Sequence, residues 1–301
     1  MTQPRTNHRA IRLGDGRVLV FGGGSRPADV SALLDSSEVF DPASGTWTEA
    51  GSILTGDFDL PIPLPDGRVL VAGQPVGFYG IPPAEMHLFD PSRNAWTRVA
   101  IGDELRGFPV APLPDGSVLM IPEPTWKDGP ADRTGADVLV TSDRAWTYGP
   151  DSNAWTALQR GPFGFEVSAA TNLRDGRVLL IGPARSLLFD PNTRTWDPED
   201  TPPYATDMRT TVTLDDGRVL FVGARDCIGA VLPAQLLEPE FGGQRFVSGL
   251  PNPIGSTITP LGDGRVLVAG GAAPCTDISM RGHTNAAYVL DPATVPSLDP
   301  S

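Results

Sequence analysis

The sequence predicts an all-β fold, a six-bladed β-propeller of four-stranded blades. Three observations predict it. A hairpin signature occurs six times, a turn-and-aromatic signature follows most copies, and short Val/Leu/Ile/Phe runs alternate with Gly and Pro clusters. The chain has 301 residues with 34 Gly and 32 Pro, and 40% of it is hydrophobic. That Gly and Pro content in a chain this apolar fits many short strands joined by tight turns rather than disorder.

The hairpin signature reads Asp15-Gly16-Arg17-Val18-Leu19-Val20, then Asp66-Gly67-Arg68-Val69-Leu70-Val71, then Asp115-Gly116-Ser117-Val118-Leu119-Met120. Later copies begin at Asp175-Gly176, Asp216-Gly217 and Asp263-Gly264, and the six glycines are 51, 49, 60, 41 and 47 residues apart. Asp-Gly suggests a two-residue type I′ turn joining the first two strands of each repeat. The second strand often ends in Gly-Gly, as at Gly22-Gly23 and Gly270-Gly271.

The second signature is Val39-Phe40-Asp41-Pro42 with Trp47, Leu88-Phe89-Asp90-Pro91 with Trp96, and Leu188-Phe189-Asp190-Pro191 with Trp196. It blurs to Tyr148-Gly149-Pro150 with Trp155 in the third repeat and to Leu237-Glu238-Pro239 with Phe246 in the fifth. Asp-Pro turns the chain out of a third strand, and the aromatic anchors a fourth against the neighbouring sheet. One domain over 1–301 is expected, with repeats at roughly 5–52, 53–102, 103–161, 162–202, 203–250 and 251–301. In the last repeat Asp291-Pro292 is followed by Ser297 where Trp is due, so its outer strand is expected to be short, missing or built from the Pro296–Ser301 tail.

The Gly-Gly, the acidic-Pro turn and the spaced Trp resemble the kelch repeat family over almost the whole chain. The resemblance implies a propeller whose function sits on the face where second strands end, around the mouth of the central channel. Aligned on Leu13, Leu64, Leu113, Leu173, Leu214 and Leu261, the first strands bring polar groups to that end. Seven positions before the Leu stand Thr6, Asp57, Arg106, Glu166, Asp207 and Ile254. Five before it stand His8, Asp59, Phe108, Ser168, Arg209 and Ser256.

Asp57, Asp59, Glu166, Asp207 and His8 form the candidate acid–base set, since neighbouring carboxylates raise each other's pKa. The same set could hold a divalent metal through oxygen and one nitrogen. Arg106, Arg209, Phe108, Trp126 and His283 are candidate ligand contacts. The plainer reading is a solvated mouth whose charges only pair, Arg106 with Asp57 and Arg209 with Asp207. Trp126 lies in the longest insertion, from Ile121 to Asp137, and long loops in compact folds tend to be lids or contact surfaces. His87 is expected in blade packing. Cys227 and Cys275 fall at near-equivalent loop positions, and whether they pair is open.

Known kelch propellers include copper-radical oxidases, metal-dependent specifier proteins, a sialic acid epimerase and many protein-binding modules. The oxidases use a Tyr–Cys crosslink, a second Tyr and two His; with His8, His87 and His283 alone, the chain offers no matching Tyr–His pair. The specifier ligand series is also absent, because Pro83 and Ser279 stand four residues before His87 and His283. Two functions remain: a binding module for a protein segment or a small polar or carbohydrate ligand, or a small isomerase, lyase or hydrolase. A net charge of −13 disfavours nucleic acid, and apolar runs of about five or six residues are too short for a membrane span. A monomer is expected. The polar start, without an apolar core of a signal peptide, gives a cytoplasmic default, with export after processing the alternative.

Overall fold

The computed structural model describes residues 1–5, 8–25, 33–53, 56–58, 61–75, 85–99, 107–122, 125–127, 138–140, 144–158, 167, 169–182, 186–199, 210–222, 234–238, 243–247, 257–269 and 287–295. The fold is an all-β, six-bladed propeller. The chain divides into two compact units, Met1–Arg160 and Gly161–Ser301, with three blades in each.

In the first unit, blade one is β1 (Arg9–Arg12), β2 (Val18–Phe21), β3 (Ser36–Asp41) and β4 (Thr46–Ser52). Blade two has its inner strand in two pieces, β5 (Gly56–Phe58) and β6 (Ile62–Pro63), both paired with β7 (Val69–Pro75), then β8 (Glu85–Asp90) and β9 (Ala95–Val99). Blade three is β10 (Gly107–Pro112), β11 (Val118–Pro122), β14 (Trp146–Gly149) and β15 (Ala154–Ala157). Between β11 and β14, β12 (Thr125–Lys127) and β13 (Val138–Val140) form a separate two-stranded sheet.

In the second unit, blade four is β16 (Ala169–Asn172), β17 (Val178–Ile181), β18 (Ser186–Asp190) and β19 (Thr195–Glu199). Blade five is β20 (Thr210–Thr213), β21 (Val219–Val222), β22 (Gln235–Glu238) and β23 (Gly243–Phe246). Blade six shows three strands among the described residues, β24 (Thr257–Pro260), β25 (Val266–Ala269) and β26 (Ala287–Leu290), followed by a 3-10 turn at Pro292–Thr294.

The Asp-Gly turns differ from the type I′ expectation. Gly16 N–H donates to Leu13 O at 3.0 Å and Leu13 N–H to Arg17 O at 2.8 Å, so the loop is Gly14-Asp15-Gly16. Only the glycine takes positive φ, 91° at Gly16, and Asp15 does not. This is the three-residue hairpin, a type I turn closed by a left-handed glycine. The aspartate serves instead as an acceptor: Asp15 Oδ1 takes the Arg17 N–H at 3.1 Å, and the pattern repeats at Asp66, Asp115, Asp175, Asp216 and Asp263.

The Asp-Pro turns are built the same way in blades one, two and four. Asp41, Asp90 and Asp190 each accept an N–H two residues on, at 2.8 Å. The fourth residue after the Asp position is then left-handed: Gly45 (φ 70°), Asn94 (51°), Asn153 (47°) and Arg194 (57°). That bend returns the chain as the fourth strand, where the aromatic stacks on its partner. Ring centroids are 4.9 Å apart for Phe40–Trp47, 5.0 Å for Phe89–Trp96, 4.9 Å for Tyr148–Trp155 and 4.5 Å for Phe189–Trp196. The fifth blade corrects the alignment above. Gln244, not Phe246, faces Leu237, and Phe246 lies opposite Gln235.

The cores lie between blades. Leu13, Leu19, Phe21, Val39, Ala50 and Ile53 of blade one pack on Val69, Val71 and Phe89 of blade two. Blades two and three meet through Leu70, Leu88, Val118, Met120 and Tyr148, blades four and five through Leu179, Leu188, Val219 and Phe221. Blades five and six meet through Leu220, Leu236, Val266, Val268 and Leu290. Burying apolar surface stabilises by roughly 25 cal/mol per Å², so these interfaces hold neighbouring blades together.

A second device fastens neighbours. The arginine of the hairpin signature reaches forward to the Asp-Pro turn of the next blade. Arg17 donates to Pro91 O at 2.7 Å, and Arg68 to Pro150 O at 3.2 Å and to the Asp151 carboxylate. Arg218 donates to Pro292 O at 2.5 Å and Val295 O at 2.8 Å. Blade three carries Ser117 instead, whose hydroxyl bonds Asp115 within its own turn at 2.6 Å.

Candidate functional site

Most of the candidate residues lie outside the described ones: Asp59, Arg106, Glu166, Asp207, Arg209 and His283, together with Cys227 and Cys275. Four are placed. Asp57 is in β5, opposite Gln74, and Phe108 is in β10, opposite Ile121. Both therefore sit on inner strands of the first unit, at the end away from the Asp-Gly turns. His8 is exposed, one residue before β1. Trp126 is the central residue of β12, opposite Leu139 of β13, in a two-stranded antiparallel sheet separate from that of blade three.

His87 is placed where blade packing was expected. It is 5% exposed, lies opposite Val71, and meets Trp96 edge-on with ring centroids 6.4 Å apart. Its Nε2 is 3.8 Å from Glu85 Oε2, and the other oxygen of Glu85 accepts from Arg98 at 2.9 Å. Burial pushes the imidazole pKa below its ordinary 6.5 against the opposing pull of Glu85, so it is neutral near pH 7.

Two features were not anticipated. The first is a buried ion pair. Arg5 meets Glu38 at 3.2 Å with side-chain exposures of 0% and 2%. Arg5 also donates to Gly22 O at 3.0 Å and Ser36 O at 2.9 Å, while Glu38 accepts from the N–H groups of Thr2 and Gln3. Burial alone would raise the Glu38 pKa. The N–H groups of Thr2 and Gln3 and the Arg5 guanidinium outweigh it and hold the carboxyl below its usual range.

The second is a cleft of about 710 Å³ at the turn end of the first unit, lined among others by Asp15, Asp66, Arg68, Asp90, Ser92 and Asp151. Its charges are already committed. Asp15 holds Arg17, Asp66 and Asp151 hold Arg68, and Asp90 accepts from Ser92. The repeated Asp-Gly-Arg was the signal for this cleft, since each copy but the third, which has Ser117, brings a carboxylate and a guanidinium to one end of its blade.

In the second unit, the inner strands of blades four and five meet through hydroxyls. Thr171 and Thr213 are 2.9 Å apart, and Thr213 donates to Asn172 O at 2.6 Å. Among the described residues no three His, Cys, Asp or Glu side chains are grouped to hold a metal ion. Among the described residues no helix is long and apolar enough to cross a membrane.

The class these sheets define is the β-propeller, and comparison with solved structures agrees. One match is a fungal alcohol oxidase of the AA5 family, in complex with copper, with a TM-score of 0.62 and 18% identity. The match covers 96% of this chain and 63% of that one, so the chain spans less than two thirds of its neighbour. In all 342 solved chains match, which marks the architecture as widespread and of little help in choosing a function. No protein-family model and no curated protein matches the sequence.

Proposed function

We propose that this chain is a kelch-type propeller acting as a binding module for a protein segment or a small polar or carbohydrate ligand. The observation that carries the reading is the β12–β13 strand pair. A separate strand pair beside the longest insertion, with an aromatic in its first strand, is the kind of element that contacts ligands. Phe108 on an inner strand would supply the rest of the surface, with Arg106, Arg209 and His283 as further contacts.

The second reading is a small enzyme, an isomerase, lyase or hydrolase, with Asp57, Asp59, Glu166, Asp207 and His8 as its acid–base set, metal-assisted or not. The placement of Asp57 at the end of an inner strand is what favours it. The copper chemistry of the structural neighbour does not transfer, because an identity of 18% carries the fold alone.

Two measurements separate the readings. Binding is screened on an immobilised glycan panel and a soluble peptide library, and the best hit is retested with variants. The module requires Trp126→Ala to weaken that hit about tenfold or more, a loss of about 1.4 kcal/mol, with Asp57→Asn near wild type. Native mass spectrometry before and after chelation tests the other side. Mass lost with the chelator, together with binding abolished by Asp57→Asn and not by Trp126→Ala, would replace the module with the metal-assisted enzyme.

A further inference from the structure

The outer strand of blade two is tied to blade one by side chains as well as to its own sheet. β9 pairs with β8, placing His87 opposite Arg98 and Phe89 opposite Trp96. Just before β9, Asn94 donates from Nδ2 to Glu49 O of β4 at 2.7 Å. Trp96 Nε1–H donates to Ser37 Oγ of β3 at 2.8 Å, and its ring meets Phe21 edge-on with centroids 5.7 Å apart. Little else holds the strand down. Ala95, Thr97 and Arg98 are exposed, Trp96 is half-buried, and only Val99 is buried. An outer strand with so few buried contacts lies at the low end of local stability.

Under this strand lies the His87 ring. Residues opposite each other or two apart point to the same face of a sheet, so His87, Phe89, Trp96 and Arg98 share the face turned to blade one. Neither His87 Nε2 nor Glu85 Oε2, 3.8 Å away, has a hydrogen-bond partner. Among the described residues the charged groups that act on the ring are Glu85 on its own strand and Arg98 on β9. Val71 of β7, opposite His87, does not titrate, nor do Phe21 and Ser37 of blade one beside Trp96.

A neutral imidazole fits this place and an imidazolium does not. In the charged form both ring nitrogens are donors. Nε2–H would find only Glu85 Oε2, beyond hydrogen-bond reach at 3.8 Å, on a carboxylate whose other oxygen already serves Arg98 at 2.9 Å. A buried donor without an acceptor and a second cation near Arg98 both cost free energy. Lifting β9 takes Trp96 and Arg98 off the ring and lets water reach it, which restores its ordinary affinity for a proton.

We propose that β9 is an acid-released strap: a proton taken up by His87 frees the outer strand of blade two from blade one and uncovers Phe89 and the edge of β8. Below the ordinary imidazole value of 6.5, the population of the lifted strand grows by up to about tenfold for each pH unit. Burial holds the covered ring's pKa below that value, and the growth stops once the covered ring is protonated too. The strap is separate from Trp126 and from the inner-strand end, and it stands whichever function those residues serve.

The test reads the indole N–H of Trp96 by NMR in the whole chain, its signal assigned by its loss in Trp96→Phe. Hydrogen exchange at that N–H, divided by the rate of free indole at the same pH, should rise by about five- to tenfold between pH 7.5 and 5.5. In His87→Gln and in His87→Phe, which cannot take up the proton, it should change by less than about twofold. Ser37→Ala, which removes the acceptor for Trp96, should speed exchange at both pH values and keep the pH dependence. The indole of Trp155, stacked on Tyr148 in blade three, should not respond. Exchange at Trp96 that is flat in the parent chain, or that rises as steeply in the two His87 variants, overturns the proposal. So does a parallel rise at Trp155, which would assign the proton's effect to unfolding of the first unit as a whole.

Discussion

Glu38 shows how much one side chain can organise. It collects two backbone N–H groups and the Arg5 guanidinium, and so fastens Thr2–Arg5 to β3. Removing one partner of a buried pair strands the other charge, which costs about 3 kcal/mol. Glu38→Gln is expected to lower the urea midpoint accordingly, without changing the slope. Because the folded Glu38 pKa lies below the usual 4.5, its contribution is complete above that value and fades as pH falls through the folded one. His87 has the same direction for a different reason. Its folded pKa lies below 6.5, so the unfolded chain takes up the proton first and stability declines as pH drops below about 6.5. The decline levels off once the folded His87 is protonated too. Unfolding curves at pH 7.5, 6.5 and 5.5 should show a smaller loss in His87→Gln than in the parent chain.

Among the elements, the forward-reaching arginines make the sharpest comparison. Arg218 is 9% exposed and serves two carbonyls beyond its own turn, whereas Arg265 is exposed and bonds only its own turn aspartate among the described contacts. Charged donors to buried acceptors contribute about 1.5–3 kcal/mol each. Arg218→Ala should therefore cost about 2–3 kcal/mol in thermal or urea unfolding, with its loss felt first at the 3-10 turn of Pro292–Thr294. Arg265→Ala should leave the transition unchanged. A cost shared equally by the two would mean that the turn, not the reach, is what stabilises.

At the scale of the whole chain, the charge of −13 and a sequence pI of about 4.6 govern solubility more than fold. Turbidity should peak as the solution is titrated through that pI, and clear again on the acid side as the net charge turns positive. The blades were legible in the sequence because hairpin and turn signals are local. Asp-Gly-Arg and Asp-Pro-x₄-Trp name their own strands. The turn type was misread, because Asp-Gly is compatible with two hairpin classes and only the Leu13–Arg17 bonds decide between them. Phe246 was misaligned for a similar reason: an aromatic two residues late looks like the anchor until register puts Gln244 opposite Leu237. The Arg5–Glu38 pair was invisible, since nothing in a sequence ties two charges that lie 33 residues apart. For the candidate site, alignment on the common Leu put Asp57 and Phe108 on inner strands, but side-chain chemistry at the ends of strands is set by tertiary contacts that periodicity does not encode.

The forward-reaching arginines also constrain how the repeats can diverge. Arg17, Arg68 and Arg218 all take main-chain oxygens, and a carbonyl is present whatever side chain the position bears. In these carbonyl contacts only the donor half therefore depends on residue type. That asymmetry accounts for the third repeat, where Asp-Pro has become Gly149-Pro150 and Arg68 still finds Pro150 O. A turn can drift in sequence while its neighbour keeps hold of it, whereas a change at the arginine removes the donor itself. Designed repeats grafted onto such a chain would need the arginine from their predecessor and nothing but a correctly bent backbone of their own.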